Sequence, residues 1–353
     1  MSRQYEVEVL EGLVDLARDE VEGAGMTVLG EHADGLTVRV LRTDALTGLR
    51  LATAVYRRLD FDVPRPRALL GDQHFRRLTS AMREVAAGEA FRGFRFAAAG
   101  AGSPVFQRLA RSLQNATGIP FDAKGGELLL RVRPVPGGRG WEVLLRLTPR
   151  PLSARPWRVC NRAGGLNATL AASMVRLAGV RAGDRYLNLM CGSGTLLAER
   201  HLAGPAAELV GVDVDEGALA CARANLDAAG AAGAFRLLHG DVRSVPPDEG
   251  AYDVVVADLP WGDAVGSHQE NRALYPALLA AADRSATAEA RVVLLTHELR
   301  LFGRVLAEQD RWRLELERRV EHGGHFPHLY LLRRARAPAG ERREAREARP
   351  TRG

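Results

Sequence analysis

Asp258-Leu259-Pro260-Trp261-Gly262 is the segment of this 353-residue chain best equipped for chemistry. A carboxylate, a proline turn and an indole in a row suit an exocyclic amine on a planar base. The lone pair of such an amine is delocalised into the ring, and hydrogen bonds accepted by Asp258 and by a carbonyl near Pro260 favour the more tetrahedral, nucleophilic nitrogen. Pro260 brings no competing N–H, and Trp261 offers a face on which the base can stack, worth about 1–3 kcal/mol. These three are the candidate catalytic residues.

A second cluster precedes them. Asn188-Leu-Met-Cys191-Gly192-Ser193-Gly194-Thr195 sits between a strand pattern over 185–190 and a helix pattern over 195–203, where an open parallel sheet binds ligands. The third small residue of the dinucleotide fingerprint is missing, since Leu197 occupies its place, so a pyrophosphate cofactor such as NAD is second choice. Asp213 ends the next strand, 19 residues beyond Gly194, where a carboxylate takes both hydroxyls of a ribose. Asp241 ends the third strand and suits an adenine amine. Adenosine without pyrophosphate describes S-adenosylmethionine, expected to be held by Cys191, Gly192, Ser193, Gly194, Asp213, Asp241 and Asp258. Asp215 and Asp227 read as helix-cap or turn residues.

The elements that must position these groups follow from periodicity. From Leu166 onward, buried-type strands at 185–190, 208–212, 235–238, 252–258 and 291–296 alternate with helices near 195–203, 215–229 and 272–287. That cadence predicts a Rossmann-like α/β domain over 166–332, a mostly parallel sheet covered on both faces. Before it, strand patterns at Tyr5–Leu10 and Leu36–Leu41 flank a helix over 12–24, and a helix is expected from Asp44 to Leu59, giving a small α/β unit over 1–63. A second unit over 64–150 carries a strand at Phe91–Phe96, a helix at Val105–Ala116 and a hairpin around Pro136-Gly137-Gly138. Residues 151–165 read as a linker. The stretch 333–353 has eight arginines, three glutamates and no bulky apolar residue, and is expected to be a disordered basic tail.

Composition excludes several classes. The 49 basic residues comprise 48 arginines and a single lysine, Lys124, which is followed by Gly125 and Gly126, so a phosphate-binding loop and a lysine Schiff base both lack their residue. Three cysteines, Cys160, Cys191 and Cys221, are odd in number and far apart, and are expected as reduced thiols. His322, His325 and His328 have ligand-like spacing without a cysteine or acid to complete a tetrahedral set, so they read as turn and strand histidines and no metal is expected. No apolar run approaches the roughly 18 residues of a membrane span, and the acidic start lacks a signal peptide, so a cytoplasmic protein is expected. Residues 1–150 carry a net +4, an ambiguous hint of nucleic-acid contact given the interleaved acids.

Taken together, the glycine loop, the strand-end acids and Asp258-Leu-Pro-Trp261 resemble class I methyltransferases. The tetrapeptide is similar to the Asp/Asn-Pro-Pro-aromatic signature of amino-methyltransferases, with Leu259 for the first proline. Leu166-Asn-Ala-Thr-Leu-Ala-Ala172 and the segment Gly266-Ser-His-Gln-Glu-Asn271 with Leu274-Tyr-Pro276 are similar to the THUMP-domain tRNA guanine-N2 methyltransferases. This resemblance implies a ferredoxin-like N-terminal domain over 1–63, a THUMP-like RNA-binding domain over 64–150 that engages the tRNA acceptor end, and transfer of a methyl group from S-adenosylmethionine to guanosine N2. It also implies that Thr169 and Asn188 join the cofactor site, although Asn188 stands where many methyltransferases have an acid and Ala168 where the family has proline. Alternative substrates are rRNA guanosine and DNA adenine N6. A non-catalytic tRNA-binding protein with a degenerate fold is the alternative from another class.

Overall fold

The computed structural model of the chain describes residues 3–244, 248–261 and 268–335. It forms two compact units, one comprising residues 1–156 with 167–173 and the other 157–166 with the chain from 174 onward.

The first unit opens β1 (Gln4–Val9), α1 (Val14–Gly23), β2 (Thr27–His32), β3 (Gly35–Arg39), α2 (Asp44–Thr47) and β4 (Ala52–Phe61). This βαββαβ order, with strands side by side as β2-β3-β1-β4, is the split βαβ arrangement of ferredoxin-like folds. It continues through α3 (Asp72–Gly88), β5 (Phe94–Ala97), α4 (Pro104–Thr117), β6 (Leu128–Pro134) and β7 (Trp141–Arg146). β4 pairs antiparallel with β7, from Tyr56 opposite Arg146 to Phe61 opposite Trp141, so one seven-stranded sheet runs through both pieces. The sequence boundary at 63/64 therefore falls inside a single compact unit.

The helix expected over Asp44–Leu59 is corrected. It lasts one turn as α2, and Ala52-Thr-Ala-Val-Tyr-Arg-Arg-Leu-Asp-Phe61 is a strand paired on both sides, with β1 and β7. Its β-branched and aromatic residues suit a pleated, enclosed position, and pairing overrides a helix-like spacing of leucines. β2 escaped the sequence because it is an edge strand without one fully buried residue.

The second unit contains β8 (Arg185–Leu189), α6 (Thr195–Ala203), β9 (Glu208–Asp213), α7 (Glu216–Ala228), β10 (Arg236–His239), β11 (Tyr252–Asp258), α8 (His268–Ser285), β12 (Ala286–Thr296), α9 (Leu299–Ala307), β13 (Trp312–Arg319) and β14 (His328–Arg334); α5 (Ala168–Ala178) precedes them. The order is β10-β9-β8-β11-β12-β14-β13, five parallel strands followed by an antiparallel pair. All five parallel strands thus end along one edge. Val254, Val255, Val256 and Ala257 are fully buried because helices cover both faces. Tyr275 and Phe302 seal the β11–β12 side, each contributing about 1.5–3 kcal/mol by burial.

Two more expectations change. Strand β14 runs on through Arg333 and Arg334, which bond Glu315 and Asp283, so the ordered chain extends past the expected tail boundary at 333; residues 336–353 lie outside the described ones, as do Gly262, Gly266 and Ser267 of the sequence motifs. Cys160 and Cys221 form a disulfide rather than two thiols, their Cα atoms 5.4 Å apart despite a separation of 61 residues. α7 carries Cys221 to the 157–166 segment, and Asn225, one turn on, clasps the Cys160 backbone by N–H to Oδ1 at 2.9 Å and Nδ2 to C=O at 3.0 Å. His322 and His325 lie in a turn and His328 opens β14.

Candidate active site

Along the edge where the parallel strands end, the structure gathers most of the residues singled out by sequence. β8 leads into Met190, a non-glycine residue with φ of 56°, and then into Gly192 and Gly194 with φ of 53° and 76°. Three left-handed residues in five turn the chain sharply from strand to helix, a conformation that costs side-chain-bearing residues about 1–2 kcal/mol. The two glycines differ. A Cβ on Gly194 would sit 3.0 Å from that of Ala222 on α7, whereas one on Gly192 would meet nothing within 4 Å. Gly194 is thus needed for packing, and Gly192 leaves backbone exposed to open space.

Asp213 fixes this loop from the end of β9. One carboxylate oxygen accepts from Gly192 N at 2.7 Å and the other from Asp215 N at 3.0 Å. Asp215 caps α7 by accepting from Ala218 N at 3.0 Å. Ser193 is buried, with its carbonyl accepting from Asn225 Nδ2 at 3.0 Å. Cys191 offers backbone rather than thiol: burial pushes its pKa up, so the thiol stays protonated, and its sulfur packs beneath Gly211. Asp241 follows β10 as expected, with its carboxylate on the Arg243 guanidinium, which holds its pKa below the usual range.

Asp258 ends β11. Its Oδ1 is buried without a hydrogen-bond partner, and desolvation pushes the carboxyl up to about 7, partly offset by a hydrogen bond from the Trp261 side chain. Asn188 on the neighbouring strand donates from Nδ2 to Val256 O at 3.2 Å and leaves a buried Oδ1 unpaired as well. The Pro260 carbonyl itself is held from behind. That oxygen already accepts from Asn271 Nδ2 at 2.9 Å and from Tyr275 Oη at 2.8 Å, so both lone pairs are engaged. Pro260 is a fixed anchor. Trp261 lies 5.5 Å from His297 at an interplanar angle of 28°, and 5.8 Å from His325.

Thr169 lies in the first compact unit. It is fully buried in the first turn of α5, its backbone N–H capped by Asn167 Oδ1 at 2.9 Å and its hydroxyl directed to the Ala52 carbonyl at 3.5 Å, within the first unit.

Comparison with known proteins matches residues 155–328 to the RMKL-like methyltransferase domain, UPF0020. A tRNA (guanine(6)-N2)-methyltransferase of Thermus thermophilus is 34% identical over 231 residues, covering 65% of this chain and 67% of that protein. The crystal structure of TrmN from Thermus thermophilus superimposes with a TM-score of 0.73 at 30% identity, over 94% of this chain and 99% of the other. The chain belongs to the tRNA guanine-N2-methyltransferase family. A tRNA (guanine(6)-N2)-methyltransferase of Archaeoglobus fulgidus is 29% identical over 48% of this chain and 49% of its own length, so the chain aligns with about half of that relative. SMU.472, whose crystal structure holds SAH, shares the fold at a TM-score of 0.68 and 14% identity.

The site of this family member fits S-adenosylmethionine on its own geometry. An open backbone face at Gly192, a carboxylate at the end of β9 and buried acceptors at Asn188 and Asp258 complement a ligand bearing hydroxyls and amino groups. Sequence reasoning missed Asn225, Asn271, Tyr275, His297 and Glu298. Glu298 accepts from Asn271 Nδ2 at 3.0 Å and meets His268 at 2.5 Å, and Tyr275 also meets Thr296 Oγ1 at 2.8 Å. The signal lay in spacing: Asn271 and Tyr275 are four apart, hence on one face of α8, and Cys221 and Asn225 repeat that spacing on α7.

Proposed function

We propose that the protein transfers a methyl group from S-adenosylmethionine to the exocyclic N2 of a guanosine in tRNA. The observation that carries this reading is the buried, unpaired acceptor on Asp258, poised near neutrality, beside the indole of Trp261. An amino group supplies the hydrogen-bond donor this oxygen lacks.

S-adenosylmethionine, when bound, supplies an electrophilic methyl group; the Gly192 backbone, Asp213, Asp241 and Asn188 are the residues that would hold it. Asp258 accepts a hydrogen bond from the guanine amine, raises electron density on N2 and takes the proton released as the new N–C bond forms. A carboxyl with a pKa near 7 suits both halves of that task, because it is a base in a large fraction of molecules and the proton it gains is stable. Trp261 sets the plane of the base, and Pro260, held by Asn271 and Tyr275, fixes the distance between carboxylate and indole.

In this reading the N-terminal unit is the RNA platform, with a THUMP-like module over 64–150 meeting the acceptor end, and the reaction takes place in the cytoplasm where tRNA resides. Incubating the enzyme with tRNA and isotopically labelled cofactor, then digesting and analysing nucleosides by mass spectrometry, tests it. N2-methylguanosine is the expected product; no labelled nucleoside, or a methyl group on adenine, overturns it.

A further inference from the structure

The β13–β14 hairpin carries an exposed feature that methyl transfer itself does not use. Its tip, His322-Gly323-Gly324-His325, closes with His322 and His325 exchanging both backbone hydrogen bonds, at 2.9 and 3.0 Å. Gly323 and Gly324 have φ of 60° and 81°, the pair of left-handed residues that a two-residue turn matched to strand twist requires. Val320 N donates to Pro327 O at 3.0 Å, and Pro327 is buried, so the turn is anchored at its base. Between this tip and this anchor the chain has little freedom, and the residue they bracket is held in place.

That residue is Phe326, one of the few large apolar residues exposed on the described surface, 38% accessible. The Arg319 guanidinium lies 3.9 Å from its ring centroid, and among the described residues no carboxylate forms an ion pair with Arg319. The nearby Glu317 is engaged by His328 at 2.7 Å and Tyr330 at 3.0 Å. Phe326 adjoins His325, whose ring is 5.8 Å from Trp261 and 5.5 Å from His297. The register, His328 opposite Thr296 and Leu295 opposite Asp258, brings this hairpin to the edge that carries the active site.

A cation lying against an exposed phenyl ring, next in sequence to a histidine whose ring is 5.8 Å from the indole beside the reacting carboxylate, matches one chemistry well. Unpaired bases stack on aromatic rings, and a guanidinium beside the ring adds cation–π attraction and a partner for the phosphate between two bases. We propose that Phe326, Arg319 and His325 bind an unpaired RNA nucleotide flanking the target guanosine, Phe326 stacking on its base and Arg319 pairing with its phosphate. This rests on the guanosine reading above and adds a second nucleotide subsite to it. The rigid turn gives the stack its affinity, because little side-chain freedom remains to be lost on binding.

The test compares wild type with Phe326→Ala, Phe326→Trp and Arg319→Gln, using unmodified tRNA and a 12-nucleotide single-stranded RNA as probes. Phe326→Ala is expected to raise KM for tRNA and Kd for the oligonucleotide about tenfold, within the range of one lost stack, with kcat and cofactor Kd unchanged. Phe326→Trp restores both. Arg319→Gln lowers the slope of log Kd for the oligonucleotide against log salt by about 0.7, one phosphate contact on a single strand. Wild-type KM, Kd and salt slope in both Phe326→Ala and Arg319→Gln overturn the proposal. Should wild type methylate no guanosine, the guanosine reading falls and the oligonucleotide affinities alone decide this one.

Discussion

The two edges of the catalytic sheet treat buried carboxylates in opposite ways. At the edge where the parallel strands begin, Asp184 meets the Arg291 guanidinium and lies 3.7 Å from that of Arg200, all three residues at most 3% exposed. Arg291 also donates to the Ala178 carbonyl at 2.8 Å, and Arg200 to those of Gly204, Arg181 and Pro205 at 2.8–2.9 Å. Both oxygens of the buried carboxylate have a cation close by, and only donors, Arg200 Nε and Arg291 Nε, are left without a partner. At the opposite edge Asp258, Asn188 and Asn271 each keep a buried oxygen without one. A buried unpaired acceptor costs about 1–3 kcal/mol. One edge invests its polar groups in folding, and the other leaves acceptors for a ligand that brings donors.

The contrast breaks first at Asp258. Asp258→Ala should lower kcat about 10²–10⁴-fold while leaving tRNA binding intact, measured by single-turnover methylation and tRNA titration. Undiminished turnover would move the chemistry elsewhere. At the other edge, Arg291→Met should leave the specific activity of folded enzyme intact yet destabilise the protein by about 3–5 kcal/mol in denaturant titration, because it strands the Asp184 charge. Adding Asp184→Leu should recover most of that loss, as an apolar pair replaces an ionic one. A fall in kcat from Arg291→Met at full folding would show the edges to be coupled.

Titration sharpens the same contrast. The Asp258 carboxyl, at about 7 folded and near 3.8 when solvated, keeps its proton longer in the native state, so its contribution to stability is complete below about pH 4 and is lost as pH rises through about 7. Asp258→Asn removes that loss. The inactive variant should match wild type near pH 4 and exceed it at pH 8 by a few kcal/mol at most, since a tenfold change in proton affinity is worth about 1.4 kcal/mol. The log of kcat/KM should climb with unit slope up to about pH 7 and then level off. A profile flat from pH 5 to 8 would remove Asp258 as the base.

How far the sequence exposed all this differs between the same two edges. The active edge was legible because its residues break local rules: glycines in a strand-to-helix turn, carboxylates at successive strand ends, and a proline beside a tryptophan. Asp213 bonds Gly192, and Asp258 closes β11 at the same edge of the sheet. The paired edge was invisible, since Asp184 lies before β8, Arg200 on α6 and Arg291 in β12, and only the tertiary packing of these elements brings them together. The same non-locality concealed the Cys160–Cys221 bridge and the joining of β4 to β7. The contact of the Thr169 hydroxyl with the Ala52 carbonyl, 117 residues away in the chain, is hidden for the same reason.

The two loop glycines give a smaller effect with a sharper sign. Gly194→Ala should cost about 1–2 kcal/mol of stability from its left-handed φ alone, with more from the crowding at Ala222. Gly192→Ala carries the backbone penalty without the crowding, so its loss of stability should be the lesser and its rise in cofactor Kd the greater. The reverse order in paired melting and calorimetry would place the cofactor on the wrong side of the loop.

Smallest of all is the effect expected at the clamp behind the tetrapeptide. Tyr275→Phe deletes one of two donors to the Pro260 carbonyl while Asn271 keeps the other, so the oxygen stays satisfied and the fold loses only about 0.5–1.5 kcal/mol. Its consequence for chemistry should exceed its consequence for binding. With one tether gone, Asp258 and Trp261 sample a wider range of separations, and a reaction that demands a fixed approach suffers before an affinity spread over many contacts does. The expected outcome is a drop in kcat of about 3–10-fold with KM for tRNA unchanged. A rise in KM at constant kcat would mean instead that Tyr275 shapes the base pocket directly, and that α8 belongs to recognition rather than to the alignment of the reacting groups.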